Sequence, residues 1–99
     1  MANNVVSNPI TIDTWTADIT ISDSPVVVRK ILFKSAADGD ILVLEDKDGV
    51  QVAWLVQTGA ADTVELDFGD AGFRFDGLQI DVSDCTGVAS GDLAWIYLK

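Results

Sequence analysis

Short runs in which apolar and polar residues alternate recur along the whole chain, separated by turns rich in Gly and Asp. A period of two places successive side chains on opposite faces of a strand, and a strand every ~8–12 residues is typical of all-β domains. No segment keeps the helical period of about 3.6 residues. The pattern predicts an all-β, antiparallel β-sandwich or barrel of about eight short strands, with a jelly-roll or Greek-key arrangement.

The strongest strand signals lie in residues 26–57, which read VVVRKILFKSAADGDILVLEDKDGVQVAWLVQ. Asp-Gly pairs at residues 38–39 and 48–49 separate three apolar runs. Asp-Gly between such runs indicates a hairpin, because Gly accepts the positive φ that tight turns need. We therefore predict a meander of three consecutive antiparallel strands. In its first strand, Val27, Ile31 and Phe33 are predicted to share one face.

The second and third strands of this meander are apolar on both faces, which is typical of strands covered on both sides. In so small a domain the second cover is expected to come from another chain. The predicted assembly surface is therefore one apolar face of these strands, formed by Leu42, Leu44, Ala53 and Leu55.

The length of 99 residues and a hydrophobic content of 48% favour a single packed domain. We assign it to residues 9–99, and interpret the small, polar, aperiodic residues 1–8 as a flexible N-terminal arm. The N-terminus lacks the features of a secretory signal, and no apolar run approaches the ~20 residues of a membrane span. The single cysteine, Cys85, excludes an intrachain disulfide, so a soluble product of the cytosol is expected.

The net charge of −10 comes mostly from Asp, which supplies 14 of the 16 acidic residues. Asp favours turns, so the charge is expected on loops. This balance disfavours binding to nucleic acid and to anionic membranes, since both require clustered Lys and Arg. Four of the six basic residues are predicted to form one positive island: Arg29, Lys30, Lys34 and Lys47.

Catalytic chemistry is poorly supported by the residue types. The chain has no His, which excludes a serine triad and a histidine base. Cys85 lies among small residues with no His to activate it. Paired carboxylates that hydrolyse glycosides need a cleft, and Asp residues in turns offer little of one. We predict no enzyme activity, no catalytic residue and no cofactor.

A Ca²⁺ site is a weaker alternative to purely turn-forming Asp residues. Two Asp pairs, at residues 38 and 40 and at residues 46 and 48, are expected at opposite ends of one strand. Residues 46–49 resemble only the opening of an EF-hand loop. A second set of acids could share one rim, namely Asp62, Asp70, Asp81 and Asp84. Solvated turn residues are the preferred interpretation, so no metal is predicted.

Among the three tryptophans, Trp54 and Trp95 lie in strongly apolar strands and are predicted to be in the core. Trp15, at a strand end, is the predicted exposed aromatic. We include it in the candidate interface together with the basic residues Arg29, Lys30 and Lys34.

A series of structural motifs follows from residue 28 onward: VRKILF at 28–33, DGD at 38–40, DKDG at 46–49, VELDF at 64–68, DGLQI at 76–80 and WIYL at 95–98. With these motifs the chain resembles the small all-β virion proteins encoded near the head genes of tailed bacteriophages. The resemblance implies a capsid decoration or cement protein, or a head-fibre module, without catalytic residues. It implies the major capsid protein as partner, a homo-oligomer (most often a trimer), and a place on the virion surface after synthesis in the host cytoplasm.

The competing interpretation is a ligand-binding module, such as a carbohydrate-binding or host-receptor-binding sandwich of a fibre. This function requires an exposed aromatic platform, for which the sequence offers Trp15 or Tyr97. Both interpretations stay open on the sequence alone.

Overall fold

The computed structural model describes residues 3, 8–59, 62–89 and 92–99, which form two antiparallel sheets packed as a sandwich. The strands are β1 (Ile10–Ile12), β2 (Ile19–Ser22), β3 (Val26–Lys34), β4 (Ile41–Glu45), β5 (Gln51–Val56), β6 (Thr63–Asp67), β7 (Phe73–Phe75), β8 (Leu78–Ile80) and β9 (Leu93–Leu98). A 3-10 helix, Val82–Asp84, follows β8. No helix within these ranges is long and apolar enough to cross a membrane.

The strand order is that of a jelly roll. The first sheet has the order β1-β9-β3-β6, with β7 also paired to β3, and the second sheet has the order β2-β8-β4-β5. Because β6 and β7 pair with successive parts of β3, they act as one interrupted strand. The first strand then pairs with the last, the second with the last but one, and so on inward to the β4–β5 hairpin. The predicted all-β sandwich is confirmed.

The core lies between the two sheets and follows the period-two alternation of the strands. Inward-facing aliphatic and aromatic side chains from both sheets fill it, and β3, β4 and β5 all contribute. Its largest fully buried apolar members are Phe33, Phe75, Ile10, Ile12, Ile31, Leu42, Leu44, Leu78, Ile80 and Ile96.

The predicted three-strand meander is wrong at its first turn, because β3 and β4 belong to different sheets. Gly39 has the positive φ expected of an Asp-Gly turn, at 92°. Its N–H donates to the carbonyl of Gln57 at 2.8 Å, so this turn closes against the end of β5 and not against β3. Of the two hairpins predicted in this meander, only the one between β4 and β5 forms. An Asp-Gly pair marks a reversal of the chain but does not specify the sheet that receives the next strand.

The predicted face of β3 also needs a correction at its start. Val28 lies opposite Leu98 while Lys30 lies opposite Tyr97, so Arg29 is an extra residue in β3. Such a bulge shifts the alternation of side chains by one position. Val28, and not Val27, therefore shares the buried face with Ile31 and Phe33.

Two residues of the predicted N-terminal arm are described, and both form hydrogen bonds with the domain. Asn3 accepts backbone hydrogen bonds from Asp13 and Thr14, both at 2.8 Å. The side chain of Asn8 accepts from the N–H of Leu98 at 3.0 Å and donates to its carbonyl at 3.2 Å. The rest of the arm, residues 1–2 and 4–7, lies outside the described residues, so its flexibility stays a prediction.

Candidate functional site

The four residues predicted to form an assembly surface lie instead in the core. Leu42, Leu44, Ala53 and Leu55 are all buried against the first sheet. The assignment of this face to a partner chain is therefore wrong. The apolarity of both faces of β4 and β5 is real, but the first sheet covers the face that carries these four residues.

The exposed apolar surface is on the opposite face of β5. Inward-facing Ala53 and Leu55 alternate with outward-facing Trp54 and Val56, which are 53% and 49% exposed. Val50, in the turn before β5, is 58% exposed. We call the outward-facing Trp54 and Val56 the outer β5 face. Together with Val50 beside it, this face accounts for three of the four large exposed apolar side chains found among the described residues.

Two further features distinguish the outer β5 face. The indole Nε1 of Trp54 donates to Oε1 of Gln51 at 3.2 Å, which orients the exposed ring. In addition, β5 is an edge strand, since its only paired neighbour among the described strands is β4. An ordered aromatic ring beside a sheet edge is a suitable place for a partner to dock.

The structure reverses the predicted roles of Trp15 and Trp54. Trp15 is buried, packs edge-to-face on Phe33 at 6.4 Å between ring centroids, and donates from Nε1 to the carbonyl of Asp92 at 3.0 Å. A buried indole needs such a polar partner. Trp54 is the exposed one, and Trp95 is half-buried on the first sheet. Trp15 is therefore not available to a partner.

The basic residues do not form one island, because they are divided between the two sheets. Arg29 and Lys30 on β3 line a small open cleft together with Asp67, Gly69 and Asp70. The ammonium of Lys30 also lies 4.8 Å from the centroid of the Tyr97 ring, within the range of a cation–π interaction. The acidic side chains of the cleft and the Tyr97 ring thus lie close to its positive groups and offset part of their charge.

The other two basic residues lie away from the cleft. Lys34 is exposed at the last position of β3. Lys47 lies in the β4–β5 turn of the second sheet and pairs with Asp76 at 3.7 Å. Since both partners are largely exposed, this ion pair contributes little to stability.

A second candidate site is a carboxylate cluster beside the 3-10 helix. Glu45 ends β4, Asp81 is the N-cap of the helix and Asp84 is its last residue. One oxygen from each of these carboxylates lies within 4.8 Å of the other two. Glu45 is only 2% exposed. Its Oε1 accepts from Nε2 of Gln79 at 3.4 Å, whereas its buried Oε2 has no hydrogen-bond partner within the described ranges. Burial raises the pKa of Glu45 to about 7, and nearby Asp84 adds to the effect.

The 3-10 helix holds its part of this cluster in a fixed position. Oδ1 of Asp81 caps the helix by accepting from the N–H of Ser83 at 3.0 Å and from its hydroxyl at 2.6 Å. These hydrogen bonds lower the pKa of Asp81. The residue after the helix, Cys85, accepts from the N–H of Val43 at 3.4 Å, and burial raises the pKa of its thiol. Cys85 thus anchors this loop over β4 as a neutral thiol.

Sequence reasoning located only part of the cluster. Of the four acids considered for a shared rim, Asp81 and Asp84 do come together, but Asp70 lies at the cleft of the first sheet. Glu45 was missed. Its only sequence signal is an acid that directly follows the apolar residues 41–44.

Comparison of the chain with protein-family models, with curated proteins and with solved structures gives no match.

Proposed function

We propose that the protein is a structural virion protein that binds the outside of a bacteriophage capsid as a decoration or cement protein. The observation that carries this proposal is the outer β5 face, where three large apolar side chains are exposed on and beside one edge strand. Scattered apolar side chains are normal on a protein surface, but a group of them marks an interaction site. Binding to another protein is the activity that such a face supports directly.

The outer β5 face suits contact between copies of the protein. Each copy carries a net charge of −10, so copies repel one another wherever charged surfaces meet. An apolar strand face avoids this repulsion, and the edge of β5 that no described strand pairs with adds backbone groups that can pair with a second strand. Trp54 would be the anchor, because buried aromatic residues dominate the energy of many interfaces. A homo-oligomer, with the trimer implied by the resemblance, is the proposed assembly.

The basic residues of β3 suit the contact with the major capsid protein. Ile31 and Phe33 point into the core, so Lys30 and Lys34 point outward from the first sheet. The outer β5 face points outward from the second sheet. The two regions thus lie on opposite faces of the sandwich, and one can contact the capsid while the other holds a second copy. Arg29, Lys30 and Lys34 would meet an acidic patch on the particle.

The fold is compatible with this function without requiring it. Jelly rolls occur in viral capsid proteins and in lectins, among other classes. Fold alone does not determine function, so this analogy adds less than the exposed face does.

Light scattering coupled to size exclusion, at micromolar concentration, tests the proposal. Wild-type protein is expected to be oligomeric and Trp54→Ser monomeric. Phe73→Leu is the matched control, since it removes the exposed aromatic ring outside the outer β5 face, keeps an apolar side chain against Phe68 and Phe75, and should leave the oligomer intact. A monomeric wild type, or an oligomeric Trp54→Ser, would overturn the assembly role. Cryo-electron microscopy of the parent particle then tests the capsid contact.

The alternative function, a carbohydrate-binding or host-receptor-binding module, is favoured by one specific observation. The Trp54 ring is exposed and is oriented by Gln51, as an aromatic platform for a sugar should be. Binding would shift the tryptophan fluorescence of wild type on glycan addition, and Trp54→Ser would lose the shift. A flat response across a glycan array favours the decoration role.

A further inference from the structure

We propose that Glu45, Asp81 and Asp84 form a Ca²⁺-binding site that fastens the 3-10 helix to the end of β4. This inference is independent of the virion function. It rests on the position of the three carboxylates, on the buried oxygen of Glu45, and on the way neighbouring groups orient the ligands.

The spacing of the carboxylates suits one large, hard cation. Ca²⁺ holds oxygen ligands at about 2.3–2.6 Å, so oxygens that share one ion lie at most about 5 Å apart. The three carboxylates each offer an oxygen within a 4.8 Å limit. Mg²⁺ demands near-ideal octahedral geometry and gives up its waters reluctantly, whereas Ca²⁺ accepts irregular sets of oxygen ligands. Three carboxylates from two separate elements therefore suit Ca²⁺ better, with water completing the coordination.

The second observation is the buried Oε2 of Glu45, which has no hydrogen-bond donor among the described residues. Its carboxyl neighbour Asp84 can form a hydrogen bond with Glu45 only when one of the two groups carries a proton. Leaving a buried polar atom without a partner is costly, and leaving a buried carboxylate without one is more so. Oε2 belongs to a side chain that already faces the carboxylates of Asp81 and Asp84. A cation between the three groups would satisfy Oε2 and remove the repulsion among the negative charges.

No basic side chain takes the place of this cation within the described ranges. The one ion pair found there joins Lys47 to Asp76. The nearby thiol of Cys85 contacts the backbone of Val43 and is not part of the group of ligand atoms that lie within 4.8 Å of one another. An all-oxygen donor set selects Ca²⁺ over the transition metals that prefer His and Cys.

Neighbouring groups hold the ligands in place before any ion binds. Ser83 fixes Oδ1 of Asp81 through two hydrogen bonds, and Gln79 contacts Oε1 of Glu45. Such supporting hydrogen bonds orient metal ligands and strengthen binding. Because the ligands come from β4 and from both ends of the 3-10 helix, a bound ion would lock the loop over the outer face of β4.

Isothermal titration calorimetry with CaCl₂ on chelator-treated protein tests the site. Wild type is expected to bind one Ca²⁺ saturably, and Ca²⁺ should raise its unfolding midpoint more than MgCl₂ or KCl of equal ionic strength does. Glu45→Gln and Asp84→Asn should each weaken binding at least about tenfold. Asp23→Asn, which removes one exposed acid in a distant turn, should bind like wild type.

Two results would overturn the site. One is the absence of saturable binding up to about 10 mM Ca²⁺. Any rise of the unfolding midpoint in Ca²⁺ would then come from screening of surface charge. The other is equal affinity in wild type, Glu45→Gln and Asp84→Asn. Asp84 is exposed, so its variant should keep the fold and remain informative if Glu45→Gln does not. None of these measurements depends on oligomerisation or on a capsid.

Discussion

Val43 on β4 and Trp54 on β5 are direct cross-strand neighbours on the same outer face of the second sheet, yet their exposure differs greatly. Val43 is 3% exposed and Trp54 is 53% exposed. The loop that carries the 3-10 helix and Cys85 covers β4, and nothing among the described residues covers β5 in the same way. Half of this face is thus completed by the chain itself, and the other half is open to a partner.

This contrast teaches how apolar faces should be assigned in a small sandwich. Apolar residues on both faces of β4 have two intramolecular explanations, namely the opposite sheet and the 3-10 loop. For β5 the opposite sheet explains only why the inner face is apolar. An assembly surface is therefore best sought on an apolar strand face that no part of the same chain covers.

The largest expected effect separates the inner and outer faces by stability. Leu44→Ala should lower the free energy of unfolding by about 2–5 kcal/mol, because it leaves a cavity between the sheets. Trp54→Ala should change that free energy, for the monomer, by less than about 1 kcal/mol, since the ring is half in solvent. Urea unfolding monitored by far-UV circular dichroism measures both values. Similar losses of stability in the two variants would contradict the assignment of Leu44 to a covered face and of Trp54 to an open one.

The next effect separates β4 from β5 by association. Trp54→Ser should weaken self-association by about 30-fold or more, the equivalent of an interface residue worth about 2 kcal/mol. Val43→Ala, its covered neighbour, should lower stability but leave the association constant unchanged. Sedimentation equilibrium of the folded variants measures the constants, and a strong effect of Val43→Ala on them would place the interface elsewhere.

A smaller effect concerns pH at the covered half of the face. In metal-free protein the pKa of Glu45 is raised from 4.5 to about 7, so folding favours its protonated form. The stabilisation from this group is complete below about pH 4.5 and is lost as pH rises through about 7. Glu45→Gln should flatten the fall in unfolding free energy over this interval, while Asp23→Asn should not. Urea midpoints at a series of pH values in chelator provide the measurement.

The smallest effect concerns the basic cleft on the other sheet. Arg29→Gln with Lys30→Gln should slow binding to the particle a few-fold and weaken its dependence on salt, because exposed charges act mainly on the association rate. Lys47→Gln, in the β4–β5 turn of the second sheet, controls for the loss of one exposed positive charge. Wild-type binding rates that are equal at low and high salt would exclude a role for the cleft.

Much of the fold could be predicted from local patterns. The alternation of apolar and polar residues is a property of each strand, so strand positions and the all-β class follow from it. Strand pairing is different, because a turn such as residues 38–39 has the same composition whether the next strand joins the same sheet or the opposite one. The bulge at Arg29 likewise depends on the register with β9, which no local pattern contains.

The candidate sites were harder to predict for the same reason. On β5 both faces are apolar, so the sequence could not decide whether Leu55 or Trp54 faces the core. Trp15 is buried because Phe33 and Asp92, both distant in sequence, receive its ring and its N–H. Glu45 meets Asp81 only because β4 pairs with β8 at Gln79.

The position of β9 in the first sheet has a consequence for how the protein is made. β9 lies between β1 and β3, although it follows both by more than half the length of the chain. The complete sheet therefore cannot assemble on a nascent chain until residues 93–98 have left the ribosome, and β1 lacks its partner β9 until then. Topologies dominated by such distant contacts fold slowly and expose strand edges to aggregation in the meantime.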